Sequence, residues 1–407
     1  MAVRSASLAL IAVLALPAAC FADSGEATGP PAPETTLDAR TRSEDAGSTL
    51  SLVVLGDSVA AGEGIAYGYE YTYDESSPAE SHWSGGTAEP RWQGQYQLCH
   101  QDERAYGDVV AAALGANLAK FACTGATYLD GITTLQDDGG EQLRPAQFGN
   151  WAERSQLNVD YDQARPDVVL LTFGADDVDF EAIVEFCVSG FTESDSVEVD
   201  AIAAADDVAD AVSDALDGRR ASVNGRRTSG ERSPGGDAGA SYCTEENPGA
   251  PIRKLFWDRI DSGEIARHYR EMVTSIRERG EDPDHGDGHV PEIVFTTYHR
   301  PLPAGLDGDC WDVWPLSPAE QSYLDSLQAT LQQVLEEAVG GLDGVHIADV
   351  SDALDGHQWC SEDPWAYGLS VYWRDLALQS QAPFHPTPEG QAAIAEVVEH
   401  TVRSATG

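Results

Sequence analysis

The sequence predicts an α/β fold built on a parallel central sheet. Five short apolar runs, Ser51 to Leu55, Leu118 to Ala122, Val168 to Phe173, Ile293 to Tyr298 and Val345 to Ile347, each have the length and composition of a strand buried on both faces. Between them lie stretches with apolar residues at helical spacing, the alternation that a parallel sheet with crossover helices requires. A third observation places the chemistry. The first run ends in Gly56-Asp57-Ser58, and a serine just past the carboxyl end of a buried strand sits where open α/β sheets hold their functional groups.

Taken in order, residues 1–22 read as an export signal peptide, with one Arg, an apolar stretch Leu8 to Leu16 too short to span a membrane, and small residues after it. Cys20 and Ala22 occupy the small-residue positions for cleavage after Ala22. Lipidation of Cys20 is the alternative, although Pro17 stands where such a box takes an aliphatic residue. Residues 23–49, rich in Pro, Gly, Thr and charge, read as a disordered linker, and 50–405 as the folded domain.

Within the domain, Arg104 to Leu114 and Glu264 to Arg279 carry helical spacing. Ser317-Pro318-Ala319-Glu320 is a capping box, followed by Leu324, Leu327, Leu331, Val334 and Ala338 on one face. The last helix starts near Thr387-Pro388 and turns Ile394, Val397, Val398 and Val402 inward. Two stretches read as insertions. Residues 68–97, rich in Tyr, Trp, Ser and Pro, either roof a cleft or form an aromatic surface loop. Residues 195–240 begin as an acidic, Ala-rich helix, end in an Arg and Gly segment, and read as a solvated excursion.

The formal charge of −45, from 69 acidic against 24 basic side chains, argues against nucleic acid and anionic membrane surfaces as partners. It fits a solvated acidic surface or, alternatively, adaptation to high ionic strength. Apart from Cys20 there are six cysteines: Cys99, Cys123, Cys187, Cys243, Cys310 and Cys360. An even number in an exported chain implies disulfides. Six allow fifteen pairings, and their order suggests three consecutive loops. Neither close cysteine pairs nor Cys/His ligand spacing supports a zinc site. Asp282, Asp284 and Asp287 lie in a Gly-containing loop whose spacing does not fit the EF-hand pattern, so it reads as a solvated turn. No metal is expected.

A serine hydroxyl needs a base to take its proton. Of ten histidines, His385 stands out in Ala-Pro-Phe-His-Pro-Thr-Pro before the last helix, where Pro383, Pro386 and Pro388 restrict the backbone around it.

The string GDSVAAGEG around Ser58 resembles the first block of the SGNH, or GDSL, hydrolases, and the His-Pro at His385 resembles their last. FACTGATYLDG resembles the second block through Gly125, and Gly174-Ala175-Asp176-Asp177 the third. CHQDERAYGDVVAAALG from Cys99 and LDGHQWCS around His357 resemble elements of the secreted actinobacterial esterase and lipase branch, in which three disulfides are expected. The resemblance spans about Leu50 to Val402. It implies a flavodoxin-like three-layer α/β/α fold and a secreted, monomeric esterase, lipase or phospholipase. Such an enzyme needs no cofactor, acts on an ester or lipid substrate and makes no stable membrane insertion.

Ser58 is then the nucleophile, His385 the base, and the N–H groups of Ser58 and Gly125 the oxyanion hole. Cys123 is read as disulfide-bonded, and His357 as structural or pocket-lining.

This chain departs from the family in two places. The orienting acid three residues before the histidine is replaced by Ala382. Either a backbone carbonyl, for example that of Ala382, orients the ring as in Ser-His dyads, or a remote Asp does. The usual Asn of the third block is Asp176, and an ionised carboxylate has no proton to give an oxyanion. Asp176 is therefore protonated, or another donor takes over, or turnover is slow. The competing reading is an impaired SGNH scaffold that holds a glycan or lipid without turnover, with Trp83 and Trp92 as contacts. An acidic structural surface protein would explain the charge but not the ordered blocks.

Overall fold

The computed structural model describes residues 49–86, 99–133, 137–138, 141–142, 156, 165–189, 243–281, 288–303, 310, 312–313, 316–371 and 382–407. All of them fall in one compact unit, Ala46–Gly407. The expected signal peptide, nearly all of the linker, the 195–240 insertion, Cys20, Trp92 and the Asp282 to Asp287 loop lie outside the described residues.

The five apolar runs form one parallel sheet. Its strands are β1 (Ser51–Gly56), β4 (Asn117–Lys120), β5 (Val168–Thr172), β6 (Glu292–Thr296) and β7 (Val345–Ala348), and β2 (Tyr69–Thr72) and β3 (His82–Gly85) make a separate hairpin. The spatial order is β4-β1-β5-β6-β7, with every neighbouring pair parallel. Counting only these five strands the order is 2-1-3-4-5, the flavodoxin-like arrangement, whose switch point lies where the chain leaves β1 for β4 on one side and resumes at β5 on the other. All five residues of β5 are buried, as a central strand covered on both faces must be.

The longer helices are α2 (Tyr106–Leu114), α3 (Phe180–Ser189), α4 (Glu264–Glu281), α5 (Pro318–Val339) and α6 (Pro388–Thr406), after a single turn α1 (Ser58–Ala61). Strand residues of alternating parity reach different helices. On one face Gly107 of α2 abuts Val54 and Tyr106 hydrogen-bonds Thr172 at 2.8 Å. On the other, Tyr269 of α4 packs against Phe173 and Phe295 with ring centroids 4.9 and 5.9 Å apart. The sheet is therefore the middle of three layers, as the resemblance implies.

Helix ends follow the sequence signals. Both halves of the capping box form: Ser317 accepts from the Glu320 N–H and Glu320 accepts from the Ser317 N–H at 2.7 Å. Thr387 caps α6 by accepting from the N–H of Gly390. On α5 the buried face runs through Leu324, Leu327, Leu331, Leu335 and Ala338, while Val334 is only half-buried. Three disulfides join consecutive cysteines, Cys99 with Cys123, Cys187 with Cys243 and Cys310 with Cys360.

The described part of the 68–97 insertion is a hairpin with its own small apolar cluster. Tyr67, Tyr69, Trp83, Tyr367, Val371 and Ala382 bury one another there. Trp83 sits against Tyr367 at 4.9 Å and is only 7% exposed, so it is a packing residue, and the expected ligand contact at this tryptophan is corrected.

Candidate active site

Three loops meet at the carboxyl ends of neighbouring strands around the switch point. Ser58 follows β1, the Gly125 segment follows β4, and Asp176 follows β5. Gly56 closes the first strand at a φ of +136°, and a side chain there would run into the Thr172 carbonyl, so only glycine lets the chain turn towards Ser58 at this point. The Gln156 side chain pairs with both backbone groups of Gly56, at 2.8 and 2.9 Å. Asp57 caps the Ser58 turn, accepting from the Val59 N–H at 3.0 Å.

His385 reaches this point from the other end of the domain. Its Nε2 lies 2.7 Å from the Ser58 Oγ, across 327 residues of sequence. Its Nδ1 lies 3.1 Å from the Pro383 carbonyl oxygen. The Ala382 carbonyl instead accepts the His385 backbone N–H at 3.0 Å, so the expected orienting carbonyl is corrected from Ala382 to Pro383. The tight turn made by Ala382, Pro383 and Phe384 folds that oxygen back onto the ring.

That turn is strained and braced. Phe384 holds a φ of +71°, a left-handed conformation costing a β-carbon residue about 1–2 kcal/mol. Its N–H donates to the Tyr367 carbonyl at 2.9 Å, and its own carbonyl takes the His299 Nε2 at 2.7 Å. Burial pushes His299 down to about 4, so its ring is neutral and Nε2 carries the donated proton. Tyr367 in turn donates its N–H to the His385 carbonyl at 2.9 Å. Gln391 of α6, the helix that follows His385, ties this end of the domain to the Ser58 turn, donating to the Val59 carbonyl at 3.0 Å and accepting from the Tyr106 N–H at 2.8 Å.

Neither the Ser58 N–H nor the Gly125 N–H donates to a protein acceptor among the described residues. Gly125 holds a φ of +76°, within a loop pinned to the third block by Asp177, whose carboxylate accepts the Tyr128 N–H at 3.0 Å and faces His268 Nδ1 at 3.0 Å.

Asp176 lies beside Asp177 in a short 3-10 turn. Its Oδ2 is fully buried with no hydrogen-bond partner among the described residues. Burial, and then the neighbouring carboxyls of Asp57, Glu181, Asp177 and Asp179, push its pKa well above the ordinary carboxylate range. Asp57 is itself pushed up to about 7, chiefly by burial and against the hydrogen bond that the Tyr298 hydroxyl donates to it. Tyr298 also accepts the Ala175 N–H at 3.0 Å, linking the first and third blocks. Of the alternatives for Asp176, these surroundings favour the protonated acid, which has a proton to donate.

Sequence reasoning missed Glu63, His299, Tyr298 and Gln391. Of these only Glu63, inside GDSVAAGEG, stood in a motif. His357 stacks on Trp365 with ring centroids 3.5 Å apart and takes no part in the Ser58 cluster. Among the described residues no group of three or more His, Cys, Asp or Glu is placed to hold a metal ion, and no helix is long and apolar enough to cross a membrane.

Fold and site define an α/β protein with a serine and a histidine paired at the switch point of a flavodoxin-like sheet. Residues 54–393 match the GDSL-like lipase/acylhydrolase family, and the chain belongs to that family of ester hydrolases. Among solved structures it is similar to an extracellular lipase from Streptomyces rimosus, at 15% identity and a TM-score of 0.47, covering 87% of this chain and 100% of that one. It is similar to a phospholipase A1 from Streptomyces albidoflavus, at 17% identity, the same coverage and a TM-score of 0.47. An aryl esterase from M. smegmatis is similar at 11% identity, 88% and 99% coverage and a TM-score of 0.36. A search of curated proteins finds no match.

Proposed function

We propose that this chain is a secreted serine hydrolase that cleaves carboxylic esters through an acyl-enzyme on Ser58. The observation that carries the reading is the 2.7 Å contact between the Ser58 Oγ and His385 Nε2, with the other ring nitrogen on the Pro383 carbonyl. A ring whose Nδ1–H is taken by a carbonyl presents Nε2 as the acceptor, which is the tautomer a general base needs.

The Ser58 oxygen attacks the ester carbonyl carbon while His385 Nε2 takes the hydroxyl proton. The tetrahedral oxyanion is held by the N–H groups of Ser58 and Gly125 and by the neutral carboxyl of Asp176. A carboxylic acid kept protonated by its site so that it can donate is known from ketosteroid isomerase. His385 then gives its proton to the leaving alcohol, and the acyl group stays on Ser58. Water, deprotonated by the same nitrogen, attacks the acyl-enzyme and releases the carboxylic acid. Three disulfides and the expected signal peptide support export.

The test is hydrolysis of p-nitrophenyl esters graded in acyl length. The mature protein turns them over, and Ser58→Ala and His385→Ala each lose about a thousandfold or more. Turnover by Ser58→Ala close to that of the parent overturns the reading.

A further inference from the structure

The site contains a buried carboxylate that the dyad does not use. Glu63 closes the nucleophile turn, is fully enclosed, and donates its N–H to the Ser58 carbonyl at 3.0 Å. Its Oε2 meets the Thr124 hydroxyl at 2.8 Å and the His100 Nδ1 at 2.6 Å, while its Oε1 is buried with no hydrogen-bond partner among the described residues. A charged oxygen left without a donor in the interior costs free energy and calls for a reason.

Its position supplies one. Thr124 immediately precedes Gly125, so one carboxylate oxygen holds the loop that presents the oxyanion N–H. The next residue, Gly64, is pressed against the base loop: a Cβ there would lie 2.9 Å from the Tyr367 ring and 3.3 Å from the Ala382 Cβ. Glu63 thus stands where nucleophile turn, oxyanion loop and base loop converge.

We propose that Glu63 is the acid of this site, a positioning residue that stabilises the positive charge His385 acquires during the reaction, in place of the carboxylate absent at Ala382. It acts through space, and no proton passes to it. The proposal rests on His385 being the base.

The electrostatics agree. Burial alone would raise the Glu63 carboxyl, but the hydrogen bond and charge of His100, the field of His385 and the Thr124 hydroxyl outweigh it and hold the group below the ordinary range. His299, which lies in the field of His385, is neutral. Exposed Glu389 on α6 accepts from Thr387 at 3.0 Å, and Asp102 and Arg104 pair with each other beyond Tyr367 at 2.8 Å.

Glu63→Gln keeps the volume and an oxygen for His100 and Thr124 and removes only the charge. Measured on the full mature protein with a p-nitrophenyl ester, the acid-side limb of kcat/KM is expected to move to lower pH by about one unit, because a histidine without its carboxylate loses its proton more easily. The plateau is expected to fall about tenfold, the equivalent of one such unit. Glu63→Asp, which retains the charge, keeps the limb near the parental position. A limb that stays in place in Glu63→Gln overturns the proposal even if the melting temperature falls, since a merely structural carboxylate moves only the latter. Should Glu63→Gln not fold, an NMR titration of His385 in the parent decides: a midpoint above the free-histidine value of about 6.5 supports the proposal and one below overturns it. Near-parental turnover by His385→Ala would instead sink the dyad reading itself.

Discussion

Replacing Asp176 by Asn tests the protonated-acid reading of the third block. Were this carboxyl ionised at neutral pH, it would repel the oxyanion and withhold a donor. A missing donor costs about a hundredfold to a thousandfold in turnover, so Asn would accelerate the reaction by that order. The structure argues otherwise. Oδ2 is fully buried without a partner, and Asp57, Glu181, Asp177 and Asp179 all oppose a negative charge there. Each increment of ionisation at Asp57, whose pKa lies near 7, makes ionising Asp176 harder still. A protonated acid and an amide each offer one usable proton. Asp176→Asn is therefore expected to leave kcat/KM at pH 7 within about threefold of the parent. As pH rises and the parental acid ionises, the ratio of variant to parent should climb towards about a hundredfold. The assay is initial-rate hydrolysis of a short p-nitrophenyl ester from pH 6 to pH 10, with Ser58→Ala as the blank for spontaneous hydrolysis. A hundredfold gain at pH 7 would refute the reasoning by showing an ionised carboxylate. A hundredfold loss with folding intact would show a role that an amide does not fill.

Three further outcomes are expected. The mature protein contains no free thiol under non-reducing alkylation, and its three closed loops, with separations of 24, 56 and 50 residues, each contribute about 3.5–4 kcal/mol in the chain-entropy model; two or more alkylated cysteines contradict the pairing. Asp57, whose carboxyl is raised on folding, contributes stability that is fully present below its unfolded value near 4 and is lost as pH rises through about 7. Asp57→Asn should therefore flatten the fall of melting temperature between pH 5 and pH 8, and an unchanged slope argues against the shift. Mass spectrometry of exported protein is expected to find Asp23 as the first residue, whereas a lipidated Cys20 would place the chain on a membrane.

Elements carried by local patterns were legible in the sequence. Each of the five apolar runs became a strand, with ends displaced by a residue or two because pairing partners, and not hydropathy, decide where a ladder stops. The Ser317 capping box formed because all its groups lie within four residues. Residues joined across long separations were not legible. Glu63 with His100 and Thr124, His299 with Phe384, and Gln391 with Val59 and Tyr106 are side-chain bonds that only the assembled fold brings within reach. The shift from Ala382 to Pro383 has the same origin, since a left-handed Phe384 decides which carbonyl faces the ring and nothing in Pro-Phe-His announces it. Trp83 read as a candidate ligand contact because sequence does not say which face of a short hairpin is covered, and here the cover is Tyr367, 284 residues further along the chain.

The central claim is that Ser58 is activated by His385, and a covalent probe reads it directly. Mature protein treated with a fluorophosphonate and digested should carry the adduct on the peptide containing Ser58, and His385→Ala should label far more slowly with its melting temperature retained. An adduct on any other residue, or undiminished labelling of Ser58 after the histidine is removed, would contradict the account.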